Sequence, residues 1–473
     1  MTYAPDAPAV PGTPPAPGVP APAVLPPRPP AAPAGPPAGR GAWADGAARL
    51  RAAATTEPGR LRVLGAVLAA LVVAFGAVTA FEVSDRAAAA GDVVSRSQPL
   101  SADAADIYRS LADADTAAAG GFLAGAREPA GVRERYEMDI TTASRLLVKA
   151  AANTDGSPRS ARDIATLNEY LPRYTGLVER ARAANRQGLP LGGAYLRYAN
   201  QQMSTRMLPA AERLYAAETA RLGRDDRDAR TWPFLSLGAG VVALAALSWA
   251  QRRAYLRTNR VFNQGLLAAT AASTVVLLWL VVGHGVARAE LDEAKAHGQD
   301  SLEVLNEARI NSLKARADEN LTLVARGAVL TADGRSDKYE ADYGTGMGRL
   351  TAALTRAAAL ADDPAGRDPV ADAAQRVVEW RQRHKAARET DDGGDYEGAL
   401  ARVIGAKDST GQSFDEVDAA LERALAHEQG EFTRAAEDGR DALTGLPAGA
   451  AVLAVLAAAG AVMGVNRRLS EYR

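Results

Sequence analysis

The chain is poor in the residues that carry most enzyme chemistry. Its 473 residues include no cysteine, only four histidines and 5% aromatic residues. Without cysteine, no disulfide can stabilise a domain and no thiolate can bind a metal, so any domain must hold together by packing. The histidines do not stand at metal-ligand spacing, and no nucleophile elbow or phosphate-binding loop occurs. We therefore expect a protein that is not an enzyme and has no catalytic residues, metal site or cofactor.

Net charge is almost absent as well. Lysine and arginine number 55 against 56 aspartate and glutamate residues, which gives a formal net charge of −1. Proteins that bind nucleic acid usually carry a clear excess of positive charge. The balance therefore argues against a nucleic acid as partner.

Charged residues are missing altogether from four apolar stretches. Each stretch is about 20 residues long, which matches a hydrocarbon core of ~30 Å at ~1.5 Å per helical residue. They are residues 63–81, 233–250, 265–286 and 446–465. We expect four transmembrane helices, the first of which stays as an anchor because no clean cleavage site follows it.

The arginines predict how these helices are oriented. The short segment 251–261 carries Arg252, Arg253, Arg257 and Arg260 and no acid. Short basic loops stay in the cytoplasm, so this segment and the tails 1–60 and 466–473 are predicted to be cytoplasmic. Segments 82–231 and 287–445 are then extracytoplasmic. The four arginines have two interpretations, a purely topogenic role and a docking site for a cytoplasmic partner.

The N-terminal tail differs in composition from the rest of the chain. Residues 1–40 hold 15 of the 26 prolines and lack the apolar content for a core. We expect a disordered or polyproline II segment. It is either a flexible tail or a docking strand for a proline-binding partner.

Both outer segments have the composition of helices. They are rich in Ala, Leu, Glu, Arg and Lys, and clusters of Gly, Pro, Asn and Asp divide each of them into four. Four helices joined by short turns predict an antiparallel bundle. We also expect a membrane-proximal stalk under each bundle, with Pro99 breaking the first stalk and Ser101 capping the next helix.

Short matches between the two outer segments predict an internal duplication. Arg135-Tyr136-Glu137-Met138-Asp139 recurs 203 residues later as Lys338-Tyr339-Glu340-Ala341-Asp342. At the same offset Ala114-Asp115 matches Ala317-Asp318, and Gly192-Gly193 returns as Gly393-Gly394 at an offset of 201. The predicted fold is therefore an all-α membrane protein with four spans and two duplicated extracytoplasmic four-helix bundles.

This layout, with a basic central loop that leads into Asn263-Gln264-Gly265-Leu266, resembles the actinobacterial GlnX-type transmembrane sensors. The resemblance covers residues from about 60 to the end of the chain by architecture. It implies a sensor-adaptor that relays the state of an extracytoplasmic amino-acid-binding lipoprotein to a cytoplasmic Ser/Thr kinase of the protein kinase G type. Two alternatives stay open, namely direct small-molecule sensing by the bundles and a passive cell-envelope scaffold. A homo-oligomer also stays open.

The turns farthest from the membrane are the predicted contact surface for the extracytoplasmic partner, because an up-down-up-down bundle places its first and third turns there. The residues chosen in or beside these turns are Arg127, Glu128, Leu189, Arg335, Asp391 and Asp392.

Overall fold

The computed structural model describes residues 57–125, 128–153, 157–258 and 263–470. The proline-rich tail falls on residues outside this part of the chain, and so do Arg127 and Arg260. Nearly all described residues are helical, and the only β pairing among them is an isolated bridge between Leu330 and Asp337. The predicted all-α class is confirmed.

Seven helices and two π-helical turns make up the first half of the chain. In chain order they are α1 (Glu57–Asp92), a π turn (Val93–Ser97), α2 (Gln98–Leu123), α3 (Ala130–Asn153), α4 (Pro158–Arg186), α5 (Leu191–Gln202), a second π turn (Met203–Met207), α6 (Leu208–Arg230) and α7 (Phe234–Thr258). Helices α2 to α6 form the first bundle.

The second half repeats this order with one difference. Its elements are α8 (Gln264–Glu293), a π turn (Ala294–Gln299), α9 (Asp300–Ala325), α10 (Lys338–Leu360), α11 (Pro364–Asp392), α12 (Tyr396–Ile404), α13 (Thr410–Leu443) and α14 (Leu446–Ser470). Helices α9 to α13 form the second bundle. A loop separates α12 from α13, whereas the matching helices α5 and α6 are joined through a π turn. The same order of elements agrees with the predicted duplication, which stays a prediction.

Local chemistry fixes several helix starts. The side chain of Ser157 accepts a hydrogen bond from the Ser160 amide at 3.3 Å, and Asp337 accepts one from the Tyr339 amide at 2.8 Å. Asp363 caps α11 in the same way through the Gly366 amide at 2.7 Å. Each cap satisfies an amide that lacks a partner within its own helix.

Four of the described helical stretches are long and apolar enough to cross a membrane, and each contains one predicted span. Two of them, Gly59–Leu123 and Gln264–Ala325, continue without a break into the first helix of a bundle. The other two change direction where span meets bundle, at Thr231–Pro233 and at Thr444–Gly445, where Gly445 has a φ of 79°. Only the first helix of each bundle is therefore one piece with its span.

Pro99 does not break the first stalk, contrary to the prediction. A proline ring in an α-helix clashes with the carbonyl four residues earlier, and for Pro99 that residue lies in the π turn Val93–Ser97. The wider π turn accommodates the ring, so the helix continues. Pro209 follows the π turn Met203–Met207 at the same spacing. Ser101 is not a cap, and its hydroxyl is 3.0 Å from that of Thr219.

The prediction of one stalk under each bundle is also wrong, because the four stalk helices pack together. Val93, Leu222, Ala294, Phe432 and Ala436 form a single apolar cluster just outside the spans. Further clusters at span level combine residues from all four membrane helices. A shared four-helix stalk therefore joins the membrane part to both bundles.

The two bundles share one hydrophobic core. One continuous cluster of buried residues, which lie between Ala104 and Ala424 in the sequence, includes helices of both bundles and many residues of α2 and α9. Small residues such as Ala112, Ala117 and Ala315 let these two helices approach closely. Thr116 donates a hydrogen bond to the Leu313 carbonyl at 2.9 Å, from one bundle to the other. Helices α2 and α9 thus form the contact between the bundles.

Candidate functional site

A cavity lies between the two bundles beside the α2–α9 contact. Its volume is about 330 Å³. Helices α2, α5 and α6 of the first bundle and α9 and α10 of the second supply its walls. The polar residues among them are Asp115, Asn200, Ser204, Glu212, Asn311, Lys314, Asp318, Lys338, Asp342, Thr345 and Arg349. We call this space the inter-bundle cavity.

Two aspartates from matched positions of the two halves face this cavity. Asp115 on α2 is 4% exposed and accepts hydrogen bonds from Asn200 Nδ2 at 2.7 Å and from the Tyr174 hydroxyl at 3.1 Å. Burial raises the pKa of Asp115 to about 6, although both hydrogen bonds lower it. Asp318 on α9 makes no hydrogen bond or ion pair through its carboxylate within the described residues. Burial, and then the charge of Asp342, raise its pKa well above the usual value.

Basic residues also line the cavity. Lys314 Nζ donates a hydrogen bond to the Tyr108 hydroxyl at 2.7 Å, and burial lowers its pKa. Arg349 is exposed and forms no ion pair with any described residue. Lys338 pairs with Asp342 one turn further along α10. A larger groove of about 870 Å³ shares Lys314 and Arg349 with the cavity, so small solutes can reach it.

In another part of the contact between the bundles, ion pairs fill the interface. Arg135 Nε of α3 donates to Asp113 at 2.9 Å, and its guanidinium lies 3.4 Å from Asp415 and 3.7 Å from Asp418 of α13. The same guanidinium lies over the Phe414 ring, 5.6 Å from its centre. Arg135 therefore links the first bundle to the second.

The interior of the second bundle contains a charged network. His384 Nδ1 is 2.8 Å from Glu319 and its Nε2 is 3.1 Å from Glu340. Arg316 and Trp380 also donate to Glu319, and the Tyr343 ring stacks on the imidazole at 3.7 Å. Burial works against a charged imidazole, but the two carboxylates outweigh it and raise the pKa of His384 to about 9. The fully buried Glu319 is thus neutralised from two sides.

A second charged group joins the stalk to the second span. The amide of Ser236, near the start of α7, donates to Glu82 at 2.7 Å, which places a carboxylate at a helix N-terminus. Arg86, one turn after Glu82, donates to the carbonyls of Thr231 at 2.7 Å and Trp232 at 3.4 Å. These contacts tie α1 to the bend between α6 and α7.

At the other end of the spans, the Asn263-Gln264-Gly265-Leu266 motif marks a close helix crossing. Asn263 caps α8 and donates to the Gly464 carbonyl of α14 at 2.9 Å. A side chain at Gly265 would collide with the backbone of Gly460 and Gly464, so glycine is needed there. The motif therefore has a packing role between spans three and four.

One group of described residues could hold a metal ion. Ligand atoms of Asp363, His427 and Glu431 lie within 4.8 Å of one another, beside the turn between α10 and α11. His427 and Glu431 are one turn apart on α13, whereas Asp363 caps α11 about 60 residues earlier, so the spacing of histidines along the sequence gave no sign of this group.

The residues predicted for extracytoplasmic contact differ in their surroundings. Leu189 is 48% exposed, and Arg335 and Asp392 are exposed as well. Glu128 is not free, because it pairs with Arg133 at 3.0 Å and Arg182 at 2.9 Å. Asp391 and Asp392 both pair with Arg388. Arg127 lies outside the described residues.

Two of the four predicted cytoplasmic arginines can be placed in full. Arg252 and Arg253 are exposed at the end of α7, and the Arg253 guanidinium lies 5.2 Å from the Trp249 ring centre. The backbone of Arg257 belongs to α7, and Arg260 lies outside the described residues. Of the two that the structure describes in full, Arg252 and Arg253, neither lines the inter-bundle cavity.

Comparison with known proteins gives one match. Residues 89–227 match the family described as the actinobacterial sensor domain, which covers the end of α1 and almost all of the first bundle. No curated protein and no solved structure matches the chain. Together with the four membrane-capable helices, the match supports an actinobacterial membrane sensor. The family gives no information on the second bundle, which lies outside the matched residues.

Proposed function

We propose that the chain is a non-enzymatic membrane sensor that transmits the state of its outer bundles to its cytoplasmic surface. One observation carries this proposal. The helices that form the contact between the bundles, α2 and α9, are continuous with the first and third spans over Gly59–Leu123 and Gln264–Ala325. A rearrangement at the α2–α9 contact must therefore move two membrane helices or bend them.

Such a sensor needs two arrangements of nearly equal free energy. An input shifts their equilibrium only by the difference in its affinity for the two. The α2–α9 contact suits this role because small side chains, rather than large interlocking ones, line much of it. A passive scaffold, in contrast, needs no second arrangement.

The input and output follow from the resemblance to the GlnX-type sensors. We propose that an amino-acid-loaded binding lipoprotein contacts the outermost turns, and that a Ser/Thr kinase reads the cytoplasmic surface. The exposed side chains of Leu189, Leu191 and Arg335 in or beside those turns support an outer contact. The exposed pair Arg252 and Arg253 supports an inner one.

The proposed orientation can be tested with single cysteines, because the natural chain contains none. Cysteines at Ser157 and Asp363 should react with an impermeant thiol reagent added outside the cell, and a cysteine at Thr258 should not. The parent chain is the zero-labelling control. Labelling at Thr258, or its absence at the other two positions, would contradict the orientation.

Transmission can be tested with a reversible bond between spans three and four. A Cβ placed on Gly460 would lie 3.8 Å from the Cβ of Ala268, which is about the separation in a disulfide, ~3.8 Å. We expect the oxidised Ala268→Cys/Gly460→Cys protein to lose amino-acid-dependent kinase output and to regain it on reduction. Each single variant is a control. Full output in the oxidised form would contradict transmission through a change in the packing of spans three and four, and amino-acid-independent output in the parent chain would favour a passive scaffold.

The role of the cytoplasmic arginines can be separated from topology. Replacing Arg252, Arg253, Arg257 and Arg260 by lysine keeps the charge that sets orientation but removes the planar, multi-donor guanidinium. Lost output with intact topology would support a docking site. Normal output would show that the arginines act only on orientation.

The outer contact is tested by Leu189→Asp and Arg335→Asp, which change exposed side chains. We expect lost output at normal protein level. Glu128→Gln is the contrasting variant, because it breaks ion pairs with Arg133 and Arg182 and should reduce stability instead.

A further inference from the structure

We propose that the inter-bundle cavity binds a small molecule that carries both an ammonium group and a carboxylate, of the size of an amino acid. The volume of about 330 Å³ is at the small end for ligand pockets, which span roughly 300–1,000 Å³. This inference deepens the proposed function and rests on it for any effect on signalling, whereas the binding itself does not depend on it.

The charges in the cavity are arranged for a ligand with two opposite charges. Asp115 and Asp318 lie on the central helices α2 and α9, and the half-buried carboxylate of Asp318 makes no hydrogen bond or close ion pair with a described residue, although Lys314 and Lys338 lie near enough to act on its charge. An unpaired carboxylate away from bulk water is costly, and a cation beside it removes that cost. An ammonium group brings three donors, enough to contact both aspartates.

Positive charge also lines the cavity and can bind the carboxylate of the ligand. Lys314 and Arg349 both line the cavity, and Arg349 forms no ion pair within the described chain. A guanidinium is well suited to a carboxylate because it can donate two parallel hydrogen bonds. A ligand with its ammonium group toward the aspartates therefore directs its carboxylate toward Arg349 and Lys314.

The alternative of a metal ion fits these residues less well. The one group of described residues with ligand atoms within 4.8 Å of one another is Asp363, His427 and Glu431, which lies outside the cavity. Among the described residues, the cavity therefore holds no group of three ligand side chains at the separation that a metal ion needs. An ammonium group needs only hydrogen-bond acceptors, and the two aspartates supply them.

The position of the cavity connects binding to the spans. Asp115 belongs to the helix that continues into span one, and Asp318 to the helix that continues into span three. A ligand that contacts both aspartates favours the arrangement in which these two helices lie at the observed separation. Ligand binding at this point is therefore an input to the proposed sensor.

The test measures binding directly on the full chain in detergent or nanodiscs. The probes are the twenty L-amino acids at millimolar concentration, with propylamine and propionate as single-charge comparisons. We expect one or more amino acids to raise the melting temperature and to bind in calorimetry, while propylamine and propionate do not. Equal stabilisation by propylamine would overturn the two-charge class of ligand, and no binding by any amino acid would overturn the site.

Variants identify the residues that carry the binding. We expect Asp318→Asn to weaken the best amino acid by about tenfold or more and Arg349→Gln by about three- to tenfold. Asp368→Asn, an exposed acid on α11 away from the cavity, is the matched control and should bind like the parent. Because Asp318→Asn removes an unpaired carboxylate, it should fold normally. Unchanged affinity in this variant would place the ligand elsewhere.

The two proposals can fail separately. Binding that depends on Asp318, together with full output in the oxidised Ala268→Cys/Gly460→Cys protein, would support the site and contradict transmission through a change in the packing of spans three and four. Loss of output in the oxidised protein without amino-acid binding would support transmission and overturn the site.

Discussion

The two bundles place different chemistry at comparable positions. In the first, the buried Asp115 is held by two neutral donors, Tyr174 and Asn200. In the second, the buried Glu319 is held by cationic partners, Arg316 and His384. The first arrangement leaves a carboxylate whose pKa is raised, and the second gives one whose pKa is lowered because Arg316 and His384 outweigh burial. The comparison teaches that one helical plan can either raise or lower the pKa of a buried acid, depending on whether its partners are neutral or cationic.

The contact between the bundles is also unequal. The matched residues Arg135 and Lys338 occupy the second helix of each bundle. Arg135 reaches across to the other bundle, whereas Lys338 pairs with Asp342 within its own helix. The contact between the bundles is open near Lys338, because this residue lines the inter-bundle cavity. Sequence matches alone did not show this difference.

The largest effect is expected from breaking the charged network of the second bundle. His384→Gln leaves Glu319 with less compensation and should cost about 3 kcal/mol of unfolding free energy at pH 7. Tyr174→Phe, the counterpart in the first bundle, should cost about 1 kcal/mol. Thermal unfolding of the full chain followed by circular dichroism measures both. Equal costs would mean that the charged network of the second bundle stabilises the fold no more than the neutral hydrogen bond of the first.

The pH dependence sharpens the same comparison. The pKa of His384 is raised to about 9 in the folded chain, so its contribution is complete below its unfolded pKa and is lost as pH rises through 9. The parent should therefore lose up to about 3 kcal/mol of stability between pH 7 and pH 10 through this group. The His384→Gln variant should lack this decline. A parallel decline in the variant would assign the pH dependence to other groups.

The next effect concerns the matched pair Arg135 and Lys338. Arg135→Ala removes a partner of Asp113. Asp113 lies beside Asp139, and burial together with the charge of Asp113 already raises the pKa of Asp139. We expect a cost of about 2 kcal/mol, because three acids lose a shared cation. Lys338→Ala should cost less than about 0.5 kcal/mol, because its ion pair with Asp342 is exposed. A larger loss of stability at Lys338 than at Arg135 would contradict the view that ion pairs fill the contact between the bundles near Arg135 and leave it open near Lys338.

Effects of about 1 kcal/mol or less, both stabilising, are expected at the two cavity aspartates. The folded pKa of Asp318 is raised by burial and by Asp342 and Asp115, against Lys338 and Lys314, so its charge destabilises the fold above the unfolded pKa. Asp318→Asn should therefore add about 1 kcal/mol at pH 8 and little at pH 4. Asp115→Asn should add less at pH 8, because burial raises the pKa of Asp115 in the same direction but the hydrogen bonds from Asn200 and Tyr174 stabilise its charge. Melting curves at both pH values test both changes, and a larger gain from Asp115→Asn than from Asp318→Asn would contradict this order.

The sequence was sufficient for the helical class and for the four membrane helices, because long uncharged apolar stretches have few other structural solutions. It was not sufficient at Pro99, where a π turn a few residues earlier allows the helix to continue. It was also not sufficient for the contact between the bundles. Residues 112–119 include two aspartates and a threonine, which does not predict a buried helix, yet all eight are buried.

The candidate site was beyond the sequence for a physical reason. The cavity depends on how helices some 200 residues apart in the chain are spaced, and on which side chains fill the gap between them. The match of Asp115 with Asp318 was visible, but its meaning required the finding that the two helices face each other. Likewise, the predicted contact residue Glu128 stood in the expected turn, and only the structure showed its ion pair with Arg182.

The π turns Val93–Ser97 and Ala294–Gln299 have a consequence for the way motion is carried along α1–α2 and α8–α9. A π turn contains one residue more than an α turn. Converting it to an α turn would rotate the span relative to the bundle by about 100° and shift it by about 1.5 Å along the axis. Both helices contain such a turn in the stalk, so in each of them the outer part is rotated about the helix axis relative to the membrane part. Deleting Val94 or Lys295 would remove this rotation from one helix at a time and would change which face of that span meets its neighbours.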